Sequence, residues 1–286
     1  MKSILYATDY SENSVAALKY AYNMSLSLKA KLWVVHVFES PSTMQSRARI
    51  PFPNLEKDVF KKHNNQLEEF CNKHLGGDIE TLNVAVEAIQ DKSAVDGIVS
   101  KAEKIQSLLI VTGMNSTSKL RRLIMGSTAR GLVEKAPYPV LTIPGDTTYN
   151  PIKTIVYATD FQQEDLDAIC KLATIAKPLD AIIKIVHICP LDKTICDIEK
   201  SQRKEKIDKH VKYAKVELDV LYSDDIFNEL KTYSDKTNAD IIGMLEREST
   251  SYASDLFYRN LLKKMKSYGK IPLMSFNAKN YGKFHL

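Results

Sequence analysis

The chain has 286 residues, 44% of them apolar and 26% charged, an ordinary balance for a folded globular protein that excludes disorder. No apolar run approaches the roughly 20 residues of a spanning helix, so no membrane is expected as partner. The net charge of +5 is carried by lysines dispersed over helices such as 57–73 and 200–215, not by a dense stripe with interleaved aromatics, so no nucleic acid is expected either.

The length suits two domains of about 140 residues each. Cys71, Cys170, Cys189 and Cys196 include no C-x-x-C pair and lack zinc spacing, so they are expected to be reduced and structural. The N-terminus runs straight into a strand without a signal peptide's apolar core and cleavage site, which predicts a cytoplasmic protein.

In chain order, an apolar strand at 2–8 is followed by a helix from Ser11 to Leu28, with Val15, Leu18, Ala21 and Tyr22 at helical spacing. A second strand at 31–37, a proline-bearing loop at 38–53 and a helix at 55–75 closed by Gly76-Gly77 come next. A third strand is predicted at 79–88, where Leu82, Val84 and Val86 alternate. It precedes a helix from Ser93 to Gln106 and a fourth strand at 108–112. A small-residue loop carrying Lys119, Arg121 and Arg122 then leads to a helix opening on Gly126-Ser127-Thr128, and Val140–Ile143 is the fifth strand.

The second half repeats the first. Ile4-Leu5-Tyr6-Ala7-Thr8-Asp9 returns as Ile155-Val156-Tyr157-Ala158-Thr159-Asp160, and Val34-Val35-His36-Val37 as Ile185-Val186-His187-Ile188, both 151 positions on. One offset held through a strand–helix–strand unit marks an internal duplication. After a turn-rich linker at 144–151 come strands at 153–159, 181–188, 214–221, 239–244 and 271–276. Helices at 163–177, ended by Pro178, and at 195–212, 224–237 and 255–268 separate them, and a polar tail at 277–286 is expected to fray. Alternating strands and helices with strands apolar on both faces predict an α/β sandwich in each half, a parallel sheet covered on both sides. Domains are expected at 1–145 and 152–278. Ligands of such sheets lie outside the carboxyl ends of the strands, where Asp9, Val37 and Gly113 all fall. The loop feeding the helix at Gly126 can present several N–H groups to an anion, which points to a phosphate-bearing ligand.

The Ala-Thr-Asp strand end, the Val-His-Val strand, the Gly113-x-x-Ser116-x9-Gly126-Ser127 loop and the Ala136-Pro-Tyr-Pro-Val-Leu141 finish resemble the universal stress protein family, here in tandem over nearly the whole chain. The resemblance implies flavodoxin-like domains, each a five-stranded parallel sheet. It also implies an internal pseudo-dimer in which the last strands, Val140–Ile143 and Leu273–Phe276, pair. An adenine nucleotide is implied as ligand: ATP with or without Mg²⁺, or AMP. Carried over to this chain, Asp9 lies beside the base or ribose, Ala7 is a further nucleotide-binding residue, the Val37 backbone reads the adenine edge, and Gly113 allows close approach. Gly126, Ser127 and Thr128 cradle phosphate. Ser116 stands where the family pattern has glycine, and a left-handed backbone there would cost serine roughly 1 kcal/mol. In the second half Glu246, Leu256 and Phe257 take the places of Ser116, Gly126 and Ser127. A carboxylate and two bulky side chains disfavour phosphate, so one site per chain is expected.

Plainer readings stand beside these. Asp9 and Asp160 precede helices and can serve as caps. His36 and His187 lie in strands and read as satisfied core histidines. The P-loop, the dinucleotide fingerprint and the G-x-S-x-G elbow do not occur in the sequence, and no nucleophile is paired with a base. Regulation by nucleotide binding is therefore expected over turnover. The alternatives are a ligand-free scaffold for a protein partner and a slow ATPase, with a second copy of the chain as a further candidate partner.

Overall fold

Parallel strands cannot be joined by tight turns and need crossovers, and the chain supplies a helix for most of them. The computed structural model describes residues 2–39, 53–117, 122–191, 196–246, 261, 264, 265 and 268–278. The first half runs β1 (Ser3–Ala7), α1 (Glu12–Ser27), β2 (Lys31–Phe38), α2 (Pro53–Leu75), β3 (Val84–Gln90), α3 (Ala94–Lys104), β4 (Ile110–Thr117), β5 (Arg122–Ile124), α4 (Ser127–Lys135) and β6 (Val140–Pro144). The second runs β7 (Thr154–Ala158), α5 (Gln163–Leu179), β8 (Ile182–Cys189), α6 (Cys196–His210), β9 (Val216–Tyr222), α7 (Ile226–Lys236), β10 (Ile241–Glu246) and β11 (Leu273–Asn277).

Ten strands form one sheet in the order β3-β2-β1-β4-β6-β11-β10-β7-β8-β9, with β5 attached to β4. Along this order strand pairs are parallel within each half and antiparallel at β6–β11, where Leu273 faces Thr142 and Ser275 faces Val140; the attached β5 runs antiparallel to β4. The Thr142 hydroxyl also donates to the Leu273 carbonyl at 3.2 Å. One core layer, from Ile4 and Leu18 through Leu141 and Ile143 to Tyr157 and Phe276, crosses this seam without interruption. On the opposite face each half keeps its own cluster, Leu5, Ile98 and Leu132 in one and Val156, Leu230 and Met244 in the other. Burial of Lys101 among the former is offset by an ion pair with Glu87 and by the Trp33 ring, whose centroid lies 3.7 Å from its ammonium.

The turns that follow β1 and β7 share several bonds. Tyr10 and Phe161 both adopt left-handed backbone, φ 62° in each. Their amides bind the hydroxyls of Thr8 and Thr159 at 3.0 and 2.8 Å, and Nδ1 of His36 and His187 meets the carbonyls of the same threonines at 2.9 and 2.8 Å. Both histidines are half-buried and satisfied.

Several expectations need correction. The third strand starts at Val84, because residues 78–83 close turns onto Asp78 and Ile79 with Asn83 left-handed, and it runs on to Gln90 through pairing with Phe38. Helix α5 carries Pro178 inside its last turn and ends where Asp180 turns left-handed. Residue 277 is strand, not tail: Asn277 is buried and pairs with Glu246. Cys189 is disulfide-bonded, while Cys71 and Cys170 are free, so not all four cysteines are reduced. The loop at 40–52, residues 118–121 and most of the expected helix at 255–268 lie outside the described residues.

Two outcomes follow from this packing. A Cβ on Gly113 would stand 3.3 Å from the Asn13 carbonyl and 3.5 Å from Ser14 Cα, so Gly113→Val must push β4 and α1 apart. Overpacking of this kind costs about 1–3 kcal/mol, and calorimetry should show melting several degrees lower. Burial, then the facing His36 and Lys62, hold the His63 imidazole below its usual range. The unfolded chain therefore takes up this proton at higher pH than the folded chain, and the stability involved is present above about pH 6.5 and lost below it. Melting between pH 7.5 and 5 should fall less for His63→Phe than for the wild type, the remainder reflecting His74, which burial also depresses.

Candidate functional site

Chain direction reverses across the sheet at β1: the crossovers step outward to β2 and β3, then return to β4 and β6 on its other side. The carboxyl ends of β1, β2 and β4 therefore splay apart, and a crevice opens between the helices that leave them. A cavity of about 300 Å³ lies there, at the lower end of the size range of small-molecule sites.

One wall is the turn after β1. Asp9 accepts the Ser11 amide (3.0 Å) and hydroxyl (2.6 Å) on Oδ1, which fixes the carboxylate at the exposed mouth. The cap of α1 is Ser11, not Asp9, and α5 is capped by Gln162 in a capping box with Asp165, so neither aspartate is the helix cap. Beneath Asp9, the Thr8 hydroxyl donates to the Ser14 hydroxyl (3.2 Å), which itself donates to the Ser11 carbonyl (2.6 Å). This polar chain holds the first turn of α1 against β1.

The floor is β4. Gly113 is a strand residue paired with Ile143, and the space its missing side chain leaves is taken by the α1 backbone at Asn13 and Ser14. Its glycine requirement thus comes from helix-on-sheet approach. Val35, His36 and Val37 of β2, with Ala94 and Ile98 of α3, close the apolar side.

The far wall is the start of α4. Gly126 is its cap, with extended backbone at φ −60°, ψ 165°, and the first intrahelical bond is Arg130 N–H to the Gly126 carbonyl at 3.0 Å. The amides of Ser127, Thr128 and Ala129 therefore have no intrahelical acceptor, and all three residues line the cavity. A helix start with orphan N–H groups and a partial positive charge suits an anion.

Of the eight residues expected at a site, Ala7, Asp9, Val37, Gly113, Gly126, Ser127 and Thr128 line this one cavity. The backbone of Ser116 extends β4 and pairs with Leu123 of β5, so it is extended and the left-handed penalty does not arise. Sequence reasoning missed Thr8, Asn13, Ser14, His36 and Thr112. Thr8 and His36 stood inside the repeated segments and were read as strand; Asn13 and Ser14 carried no signal beyond a helix start.

In the second half the position of Ser14 is held by Asp165, only 1% exposed, which accepts the Tyr157 hydroxyl (2.8 Å) and the Gln162 amide (3.0 Å). Glu246 ends β10 opposite Asn277; because Ala7 faces Thr112 and its counterpart Ala158 faces Met244, Glu246 stands in the sheet at the place of Met114 and not of Ser116, and Leu256 and Phe257 lie outside the described residues. Among the described residues, no group of three or more His, Cys, Asp or Glu is placed to hold a metal, and no helix is long and apolar enough to cross a membrane.

No curated protein matches the chain. Among solved structures, a universal stress protein from Archaeoglobus fulgidus DSM 4304 is similar at 17% identity over 96% of this chain and 98% of its own, with a TM-score of 0.70. A putative universal stress protein from Pseudomonas aeruginosa UCBPP-PA14 is similar at 13% identity over 99% and 96%, with a TM-score of 0.61. At such identities the likeness concerns the fold. Half of this chain matches a universal stress protein from Archaeoglobus fulgidus solved in complex with dAMP, at 21% identity over 50% of this chain and 97% of that one, with a TM-score of 0.34. A family model matches residues 1–144, about half the chain, and with it the β1 turn, β4 and the α4 start that build the cavity: the chain belongs to the universal stress protein family.

Proposed function

We propose that the first-half cavity binds an adenine nucleotide, one per chain, and that the protein is a stress-response regulator read out through that binding. The observation that carries this reading is the opposition, across one cavity, of the orphan amides of Ser127, Thr128 and Ala129 and the fixed carboxylate of Asp9. Amides at a helix start suit a phosphate. A carboxylate lining the same cavity suits a ribose hydroxyl or a base amine, and the backbone of Val37, which also lines it, offers an edge for adenine. Some members of the family bind adenine nucleotides; the reading here rests on this chain's own geometry.

ATP and AMP are distinguished by their need for a cation. The described lining holds Asp9 and no lysine or arginine. The outer phosphates of ATP would then be neutralised by Mg²⁺, whereas a monophosphate needs only the helix start. We read the second half, with Asp165 for Ser14 and Glu246 at the strand end, as a partner that has lost the site. Domains 1–145 and 152–278 are proposed on the same ground, joined as an internal pseudo-dimer through β6 and β11. Binding is favoured over hydrolysis because the Asp9 carboxylate of the described lining is tied to its own turn by the Ser11 amide and hydroxyl, and Nδ1 of His36 is already engaged by the Thr8 carbonyl.

Isothermal titration should give a stoichiometry of one, with ATP affinity falling on removal of Mg²⁺ and AMP affinity unaffected. Ser127→Asp, which puts a carboxylate on the phosphate, should weaken binding at least tenfold while the ligand-free protein melts as before. No heat and no melting shift at millimolar nucleotide would overturn the reading in favour of a ligand-free scaffold. Phosphate release lost in Asp9→Ala would favour the ATPase.

A further inference from the structure

The helix that presents the phosphate-binding amides is short. Nine residues give α4 a length of about 13 Å, below what is stable alone, so its order depends on what holds it. Its N-terminal turn stands at the cavity. Its C-terminal turn leaves carbonyls without helical partners, and the Ala136 amide closes only Leu132. The next two carbonyls are met from the other half of the chain. The Asn277 side-chain amide donates to Val133 O at 3.4 Å and to Glu134 O, from a position only 6% exposed at the end of β11.

Among the described residues the contact is not repeated at the equivalent position. By position in the two sheets Asn277 corresponds to Pro144: each ends the last strand of its half, opposite Glu246 in β10 and Met114 in β4 respectively. Proline has no side-chain donor. The half that we read as lacking a nucleotide site therefore holds the helix of the half that has one, and the reverse clamp is absent at that position.

We infer that Asn277 is a positioning residue through which the second half sets the nucleotide affinity of the first. The inference rests on the reading of the cavity as a nucleotide site. Removing the amide frays the last turn of α4 and lowers the fraction of molecules whose first turn is ordered, and apparent affinity falls with that fraction. Loss of two hydrogen bonds, one of them long, corresponds to a weakening of about fivefold to tenfold.

The test is titration of full-length Asn277→Ala and Asn277→Asp with AMP, a ligand whose affinity does not depend on Mg²⁺, together with amide exchange across 126–136. Asn277→Asp sets a carboxylate against two carbonyl oxygens and should weaken binding at least as much as the alanine. Both variants should speed exchange in α4 ahead of other helices. A control that destabilises the second half away from α4, Leu230→Ala in α7, should lower melting without moving the AMP affinity. Unchanged AMP affinity in both Asn277 variants overturns the inference, and so does a loss of affinity that Leu230→Ala reproduces. Failure of the wild-type protein to bind AMP or ATP at all would instead overturn the nucleotide reading.

Discussion

The structure depends on the antiparallel contact of β6 with β11. A parallel five-stranded sheet with helices on both faces leaves its last strand as an open edge, and an apolar edge is a template for unwanted pairing. Here Val140–Pro144 and Leu273–Asn277 cover one another, all ten residues are buried, and the core layer beneath runs through the seam. Burying side chains of the size of Leu141, Met274 and Phe276 contributes about 1.5–3 kcal/mol each, so the seam is a core in energetic terms. The two halves hold together as one sheet for the same reason that each half holds its own strands.

That constraint also locates the site. With β6 fixed in the middle of the sheet, the short segment from Ala136 to Pro139 fixes where α4 ends, and nine helical residues carry its start back to the carboxyl ends of β1 and β4. The cavity is thus bounded by a turn rigid in itself, held by Thr8, Asp9 and Ser11, and by a helix start whose order comes from the seam. Gly113 serves the same geometry by letting α1 approach β4 closely enough for Asn13 and Ser14 to reach the crevice.

Much of this was legible because it follows from local rules. Alternation of apolar strands with amphipathic helices, the 151-residue offset and the Gly126-Ser127-Thr128 helix start each rest on residues close in sequence, and the strand order follows from parallel pairing with helical crossovers. What escaped was non-local. That Gly113 makes room for α1 depends on a contact between residues 100 apart. That Ser116 is strand depends on Leu123 returning beside it. Asn277 looked like the first residue of a polar tail because its partners, Val133 and Glu134, belong to the other half.

The duplication itself shows which parts of the motif are structural. Thr159 and His187 persist in the second half with the same bonds, and Phe161 takes the same left-handed conformation as Tyr10, although Asp165 stands where Ser14 lines the cavity and accepts the Gln162 amide, the counterpart of the Ser11 amide that Asp9 holds. A non-glycine residue at φ 62° is uncommon and held by its surroundings, here by the threonine hydroxyl accepting its amide. This turn is required to swing the chain from a parallel strand into the helix that covers it, whether or not anything binds above it. An Ala-Thr-Asp strand end is therefore weak evidence of a ligand on its own. The discriminating features are those the two halves do not share: the hydroxyl at Ser14, the small residues opening α4, and the amide of Asn277 that steadies that helix from the far side of the seam.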